Sequence, residues 1–463
     1  FNNFASLQQE TFKLKDKLFK IGYLESELLD IKKQNDSTYK ANFNLNNRSH
    51  SIRLYFDNTI DRNILQLVFP KVNDNYVDIK IGALEETLLK LNSEFSNLGD
   101  PFSTLQLSNI KKQDNTTLYA DLIVSKEIQK RTIDSIIIQG YEKFPKSYIN
   151  RFLKIRSKQP FNLKTIKNKT SEINNLTFAT QIKEPEILFT KDSTLLYIYI
   201  EKQKSNAFDG FLGFSTNPDS NKLELNGYLN LNLVNNLNFG ESFRLIYKSD
   251  ENEQKRFDAK MRLPYLFGTP VGTELGINIF KKDSTFVTVA QSAKLQYQID
   301  SRNMISAGIE SNTSTNLLNN ASIFVEDFKS TFYIVNYSHQ RRQSYDPLFP
   351  INFQFDMYAG FGNRIFNELD QAQIKLNLDT YKIFNLNNRN SVFIRLTGAL
   401  LNSDNYFNNE LFRFGGINSL RGFEENSIAA SLFSVLNTEY RYKASGTLYI
   451  HTVLDASYFE NQT

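Results

Sequence analysis

The chain has 463 residues, 54 Lys and Arg against 50 Asp and Glu, a net charge of +4, and no cysteine. That length is more than one hydrophobic core serves, so two or more domains are expected. The near-neutral charge gives no case for nucleic acid binding, and the missing cysteine removes disulfides, thiolate catalysis and cysteine-held zinc. Mean hydropathy is −0.42 and no window approaches 18 consecutive apolar residues, so no transmembrane helix is expected. A membrane barrel is not excluded, because it hides its apolar face in alternate residues. The chain starts at Phe1, so any signal peptide is removed or was never included.

In chain order, the first feature is apolar spacing of three to four residues over Leu7–Leu29, with Phe12, Leu18, Phe19 and Tyr23, which predicts a helix. A hairpin signal follows: Ile31 to Phe43 reads IKKQNDSTYKANF, a polar turn between two short strands. The signal returns at Ile110–Val124 (IKKQDNTTLYADLIV) and Phe189–Ile200 (FTKDSTLLYIYI), with aligned Tyr39, Tyr119 and Tyr197 spaced 80 and 78 residues apart. Such a period predicts three copies of one small α+β domain. Leu84–Phe95 supplies a helix in the second copy. The third reads as a strand at Thr132–Gln139, a helix opening at Pro145, a helix around Leu163–Leu176, and hairpin strands at Glu186–Phe189 and Leu195–Glu201. The first copy lacks its leading strand and helix. The expected divisions are 1–47 (partial), 48–130 and 131–204.

From about Asn206 the helical period vanishes and period two takes over. In Leu223–Val234 the leucines 223, 225, 229, 231 and 233 oppose Glu224, Asn226, Asn230 and Asn232; Ile351–Phe361 alternates likewise. Strands of about ten residues or more, against about five to six in an ordinary sheet, are what a tilted strand needs to cross a bilayer. Thirteen such strands are expected over 205–463, starting near Phe208, Leu223, Glu241, Lys255, Val271, Phe286, Asn303, Phe328, Ile351, Gln371, Ser391, Ser427 and Thr447. Single-chain barrels usually close with an even number, so either the count is off by one strand or the barrel is short of its last strands, and the end at Asn461–Thr463 favours the second.

After the eleventh strand comes Phe412-Arg-Phe-Gly-Gly-Ile-Asn-Ser-Leu-Arg-Gly-Phe423, a long inter-strand loop. Gly415, Gly416 and Gly422 allow it to turn where side chains would collide. With the α+β repeats and the barrel pattern, this loop resembles that of the BamA/TamA superfamily of outer-membrane assembly and translocation proteins, and the repeats resemble POTRA domains (β-α-α-β-β). The resemblance implies a transmembrane antiparallel β-barrel, sixteen strands in the family, behind periplasmic POTRA domains. It also implies that the loop between strands eleven and twelve folds into the lumen and sets its arginine against acids of the next two strands.

Parity gives a test. In the twelfth strand Leu436, Thr438, Tyr440 and Tyr442 face out and Val435, Asn437, Glu439 and Arg441 in. In the thirteenth, Leu448, Ile450, Thr452, Leu454 and Ala456 face out, and Tyr449, His451, Val453, Asp455 and Ser457 in. Glu439 and Asp455 thus point to where Arg421 would arrive, with Gly422 and Phe423 completing the motif. The family often has a glycine after the second acid; Ala456 and Ser457 stand there instead. His451 lies one inward step from Asp455, but no nucleophile motif such as G-x-S-x-G accompanies it.

The resemblance implies no enzyme, cofactor or metal, and a role in inserting or translocating client outer-membrane polypeptides, with membrane lipid and periplasmic or lipoprotein accessory subunits as partners. Its first strand, Phe208, Gly210, Phe211, Gly213 and Phe214, would form one side of a lateral gate. Two alternatives stand beside it: a two-partner-type polypeptide secretion pore, and a barrel anchoring a fused effector such as a patatin-like lipase.

Overall fold

The computed structural model describes residues 4–461 apart from 36–37, 59, 113, 115, 127–129, 217–222, 250–253, 319–324 and 344. The turn residues at 36–37 and 113 and 115 of the first two hairpins, and Gln462–Thr463, therefore lie outside the described residues. Packing divides the chain into two compact units: Phe1–Ile136 with Ser157–Lys167 and Ile187–Leu196, and Ile137–Arg156 with Asn168–Glu186 and Tyr197–Thr463.

The first unit opens with α1 (Phe4–Lys20) and the antiparallel hairpin β1 (Glu27–Lys33) and β2 (Tyr39–Asn44). The helix expected to run to Leu29 stops at Lys20. Gly22 takes φ +106°, and a Cβ there would sit 2.0 Å from the Ser49 carbonyl oxygen, so the chain must turn at a glycine. A second sheet is built from β3 (Ser51–Tyr55), β4 (Tyr76–Lys80), β5 (Thr104–Lys112) and β6 (Thr117–Ser125), in the order β4-β3-β6-β5 with β3 and β6 parallel. It carries α2 (Arg62–Val68) and α3 (Leu84–Asn97). Strand β4 is one more than the simple β-α-α-β-β order. Alternation along β3 and β6 turns Ile52, Leu54, Leu118, Ala120 and Leu122 onto one face, where they pack with Leu65, Leu91 and Phe95 of the helices. Asp61 caps α2 by accepting the Asn63 N–H at 2.9 Å.

Further on come β7 (Ser135–Gly140), a π-helical turn at Tyr148–Phe152, α4 (Leu163–Ser171) continued by a 3-10 turn, β8 (Ala179–Gln181), β9 (Glu186–Phe189) and β10 (Thr194–Lys202), with β10 pairing β7, β8 and β9. Tyr39, Tyr119 and Tyr197 all fall on the second strand of a hairpin, β2, β6 and β10.

In the second unit a long meander follows: β11 (Ala207–Thr216), β12 (Leu223–Val234), β13 (Ser242–Ser249), β14 (Lys255–Leu263), β15 (Val271–Lys282), β16 (Phe286–Gln298) and β17 (Asn303–Asn316). It continues through β18 (Phe328–Arg342), β19 (Ile351–Phe366), β20 (Leu369–Asn385) and β21 (Asn390–Asn402). After the short pair β22 (Phe412–Phe414) and β23 (Ile428–Ala430), β24 (Leu432–Lys443) pairs β21, and β25 (Tyr449–His451) and β26 (Leu454–Glu460) both pair β24. The register Arg441↔His451 runs straight into Thr438↔Leu454, so β25 and β26 are halves of one strand and the sheet has thirteen among the described residues. One strand start differs: the twelfth opens at Leu432 rather than near Ser427, because Ile428–Ala430 folds onto Phe412–Phe414 as a hairpin of the loop.

The sheet inverts the arrangement of a soluble protein. Apolar residues such as Ile309, Val335, Met357 and Phe361 stand exposed on its outward face, while Glu274, Gln296, Ser330, Gln373 and Glu439 are buried on the other. On β18 the outward charges are confined to the ends, Lys329 and Arg341. This is the pattern of a barrel whose solvent outside is hydrocarbon. No ladder joins β11 to β26 among the described residues.

The helical turn at 146–152 is seated on the barrel's strand connections. The Tyr148 hydroxyl donates to the Gly240 carbonyl at 3.1 Å, and the Tyr148 ring meets Tyr265 edge-on at 5.0 Å. Tyr141 donates to the Asn238 side-chain oxygen at 3.0 Å and accepts from Asn235 Nδ2 at 2.8 Å. Arg151 reaches the Gly268 carbonyl at 2.8 Å. Burial pushes the pKa of Tyr148 above its ordinary value, which keeps the hydroxyl a donor.

Candidate functional site

The connection between β21 and β24, residues 403–431, is turned inward and fastened along its length. At its centre Arg421 donates to Asp455 three times: from the backbone N–H at 3.0 Å, from Nε at 2.9 Å and from Nη2 at 2.5 Å. Its Nη1 donates to Glu439. Both carboxylates are nearly buried, with side chains 6% and 8% exposed. Glu439 also accepts from Arg441 Nε at 2.7 Å, and His451 Nδ1 lies 3.5 Å away. A planar fork fits this arrangement because two N–H bonds run parallel to one carboxylate while a third reaches the other acid. The hydrogen bonds to Asp455 hold the guanidinium charged, its pKa above the ordinary value.

Neighbouring contacts fix the backbone on both sides of Arg421. Asn437 Nδ2 donates to the Ser419 carbonyl at 2.7 Å. Arg395, paired with Asp379, reaches the Asn418 carbonyl at 3.3 Å. Phe414 stacks on Phe433 at 4.5 Å, beside buried Leu420. Gly415 and Gly416 take φ +110° and +95°, and a Cβ on Gly415 would sit 2.5 Å from the Glu424 carbonyl oxygen. Gly422 has open space around it and needs glycine only for its φ of +92°. Phe423 is 54% exposed and does not join the cluster. Arg421, Glu439 and Asp455 are thus together, and Phe423 stands apart.

The first-strand residues are spread along β11, which pairs β12 over its full length from Ala207↔Asn232 to Thr216↔Leu223. Phe208, Phe211 and Phe214 are each about 70% exposed. Gly210 is needed for close approach, since its Cβ would meet the Tyr228 carbonyl oxygen at 2.9 Å; Gly213 has nothing nearer than 3.9 Å.

Sequence reasoning missed a second anchor of the same loop. Arg364, at the far end of β19, is fully buried and donates to Glu410, Gln371 and Asn405. Its guanidinium carbon lies 4.1 Å from the Phe407 ring centroid and 4.9 Å from that of Phe366. Nearby, Asn409 Nδ2 donates to Ser314 Oγ at 2.9 Å and to the Glu326 carbonyl at 2.7 Å. Carrying the period of β19 three residues past Phe361 would have turned Arg364 inward. Its partner Glu410 lies in irregular chain and had no signal.

No family model matches the chain, and no curated protein matches it in sequence. Solved structures match in shape. BamA from Haemophilus ducreyi lacking POTRA domains 1–3 aligns with a TM-score of 0.52 and 14% identity, over 90% of this chain and 87% of that one. CdiB from Acinetobacter baumannii aligns with a TM-score of 0.52 and 14% identity, over 99% and 87% of the two chains. CdiB from Escherichia coli gives 0.50 and 13%, over 99% and 88%. At such identities the likeness is one of fold. The chain has the fold of the BamA and CdiB structures, an antiparallel transmembrane-barrel sheet preceded by POTRA-like α+β modules.

Proposed function

We propose that this protein is an outer-membrane assembly factor of the BamA/TamA type, which inserts or translocates client outer-membrane polypeptides by binding and templating rather than by bond chemistry. In this reading residues 1–47, 48–130 and 131–204 are POTRA modules on the periplasmic side, and 205–463 is the barrel in the outer membrane. The observation that carries it is the inward loop held by Arg421, Glu439 and Asp455, which gives the wall behind it a fixed frame. The β11 segment Phe208–Phe214 would be the gate strand, whose outer-edge main-chain groups would pair with a client strand in a sequence-tolerant way. Periplasmic or lipoprotein subunits would deliver clients to the POTRA edges.

The test is reconstitution. Vesicles of phosphatidylethanolamine and phosphatidylglycerol carrying the protein should speed the folding of a urea-unfolded client barrel, read as the heat-modifiable band on gels, relative to empty vesicles. Equal rates with and without the protein would sink the reading. A second reading, a polypeptide secretion pore, is supported by the alignment with CdiB over 99% of the chain. It predicts a client that ends inside the vesicle and protease-protected, rather than folded in the bilayer.

A further inference from the structure

A groove of about 570 Å³ opens at the rim where the 146–152 helical turn meets the barrel. One wall is Lys143–Ser147; the other is the turn residues Asn238–Phe239 and Leu263–Gly268. Leu263 closes β14 on the outward parity shared by Met261, so the groove's apolar lining continues the hydrocarbon-facing band. Its mouth exposes aromatic side chains: Phe239 is 67% exposed and Phe267 100%. Phe267 also holds φ +53°, a conformation a bulky residue adopts only under constraint. A fully exposed phenyl ring on a strained turn gains nothing in water and much in an acyl layer. Across the groove stand Lys143 and Lys146, exposed and in no ion pair among the described residues; Glu142 neighbours Lys143 in sequence but does not line the groove.

Apolar continuity with the lipid face and unneutralised cations at the aqueous edge fit one ligand chemistry. We propose that the groove binds an anionic glycerophospholipid of the leaflet facing the POTRA modules, its acyl chains against Phe239, Leu263 and Phe267 and its phosphate toward Lys143 and Lys146. The inference rests on the barrel reading above and adds the lipid's class and place. It gives the helical turn, already hydrogen-bonded to the strand connections through Tyr148 and Arg151, a lipid-dependent support.

The chain has no tryptophan, so Phe267→Trp makes a single-fluorophore reporter in the full protein. It is placed in phosphatidylcholine vesicles containing a small fraction of dibrominated phosphatidylglycerol or, separately, dibrominated phosphatidylcholine. One lysine near an anionic headgroup enriches it about fivefold, so quenching by the brominated phosphatidylglycerol should exceed that by the brominated phosphatidylcholine several-fold. Adding Lys143→Glu and Lys146→Glu should erase the difference. Equal quenching by both lipids, or a preference that survives the charge reversals, overturns the proposal, as does red-shifted emission that neither lipid quenches. Phe239→Trp gives a second reporter should the first variant misfold. Val335→Trp, on the outward band, separates the two levels: if it too is unquenched, the barrel reading has failed and not only the groove.

Discussion

Arg421 and Asp455, 34 residues apart on a loop and a terminal strand, are joined by three hydrogen bonds, two from the guanidinium at 2.9 and 2.5 Å and one from the Arg421 backbone N–H at 3.0 Å. The backbone bond means that Asp455 grips the loop itself and not only its side chain. Removing the guanidinium strips Asp455 of its cation and leaves Glu439 only Arg441 and the nearby His451, and breaking a buried pair from one side costs about 3–5 kcal/mol. Arg421→Ala should therefore free residues 413–427 to limited proteolysis in the folded barrel and reduce client folding. Arg421→Lys keeps the charge but cannot form the fork, so it should restore little of the protection. Full protection in both variants would show the loop is held elsewhere.

Arg364 and Glu410 form the second anchor, in full burial. Glu410→Ala leaves a cation with no carboxylate between two phenyl rings, a loss of about 3–5 kcal/mol. The double variant Arg364→Met/Glu410→Gln removes both charges, and should recover most of that loss in thermal unfolding followed by heat-modifiability. A double variant as unstable as the single one would place the cost in packing rather than in charge.

Gly240 and Tyr148 form a steric lock. A Cβ at Gly240 would sit 2.1 Å from the Tyr148 ring, and the residue holds φ +79°. Gly240→Ala should cost at least about 1 kcal/mol from the backbone alone and displace the ring besides. Hydrogen exchange should rise across residues 137–156 while β18–β20 stay protected. Tyr148→Phe, which loses one hydrogen bond, should have a milder effect of about 1 kcal/mol.

Leu54 is fully buried in the first unit's sheet. Leu54→Ala should destabilise that unit by about 2–5 kcal/mol, seen as early loss of protection over β3–β6. The heat-modifiable barrel band should be unchanged, because Leu54 packs within a cluster drawn from β3, β4, β6, α2 and α3. A parallel drop in barrel stability would show that the two units fold as one.

Much of the fold was legible in the sequence because a barrel writes itself in a local code. Side-chain direction alternates residue by residue, so the strand starts read from period two fall within two residues of the ladder ends for all but the twelfth strand. The same parity turns Glu439 and Asp455 inward from their positions in the chain alone. The hairpin repeat with its aligned tyrosines was equally local.

What the sequence could not contain is the partner that each connection between strands or helices finds in the folded chain. Glu410 meets Arg364, Ile428–Ala430 folds back on Phe412–Phe414, and Gly240 receives Tyr148 from 92 residues away. None of these contacts carries a period on both sides, since each has at least one partner on a connection whose place is set only once the sheet has curved. Alternation fixed the inside and the outside of this protein by itself; the tertiary structure decided what fills the inside, because filling a lumen is a matter of packing between residues no local pattern relates.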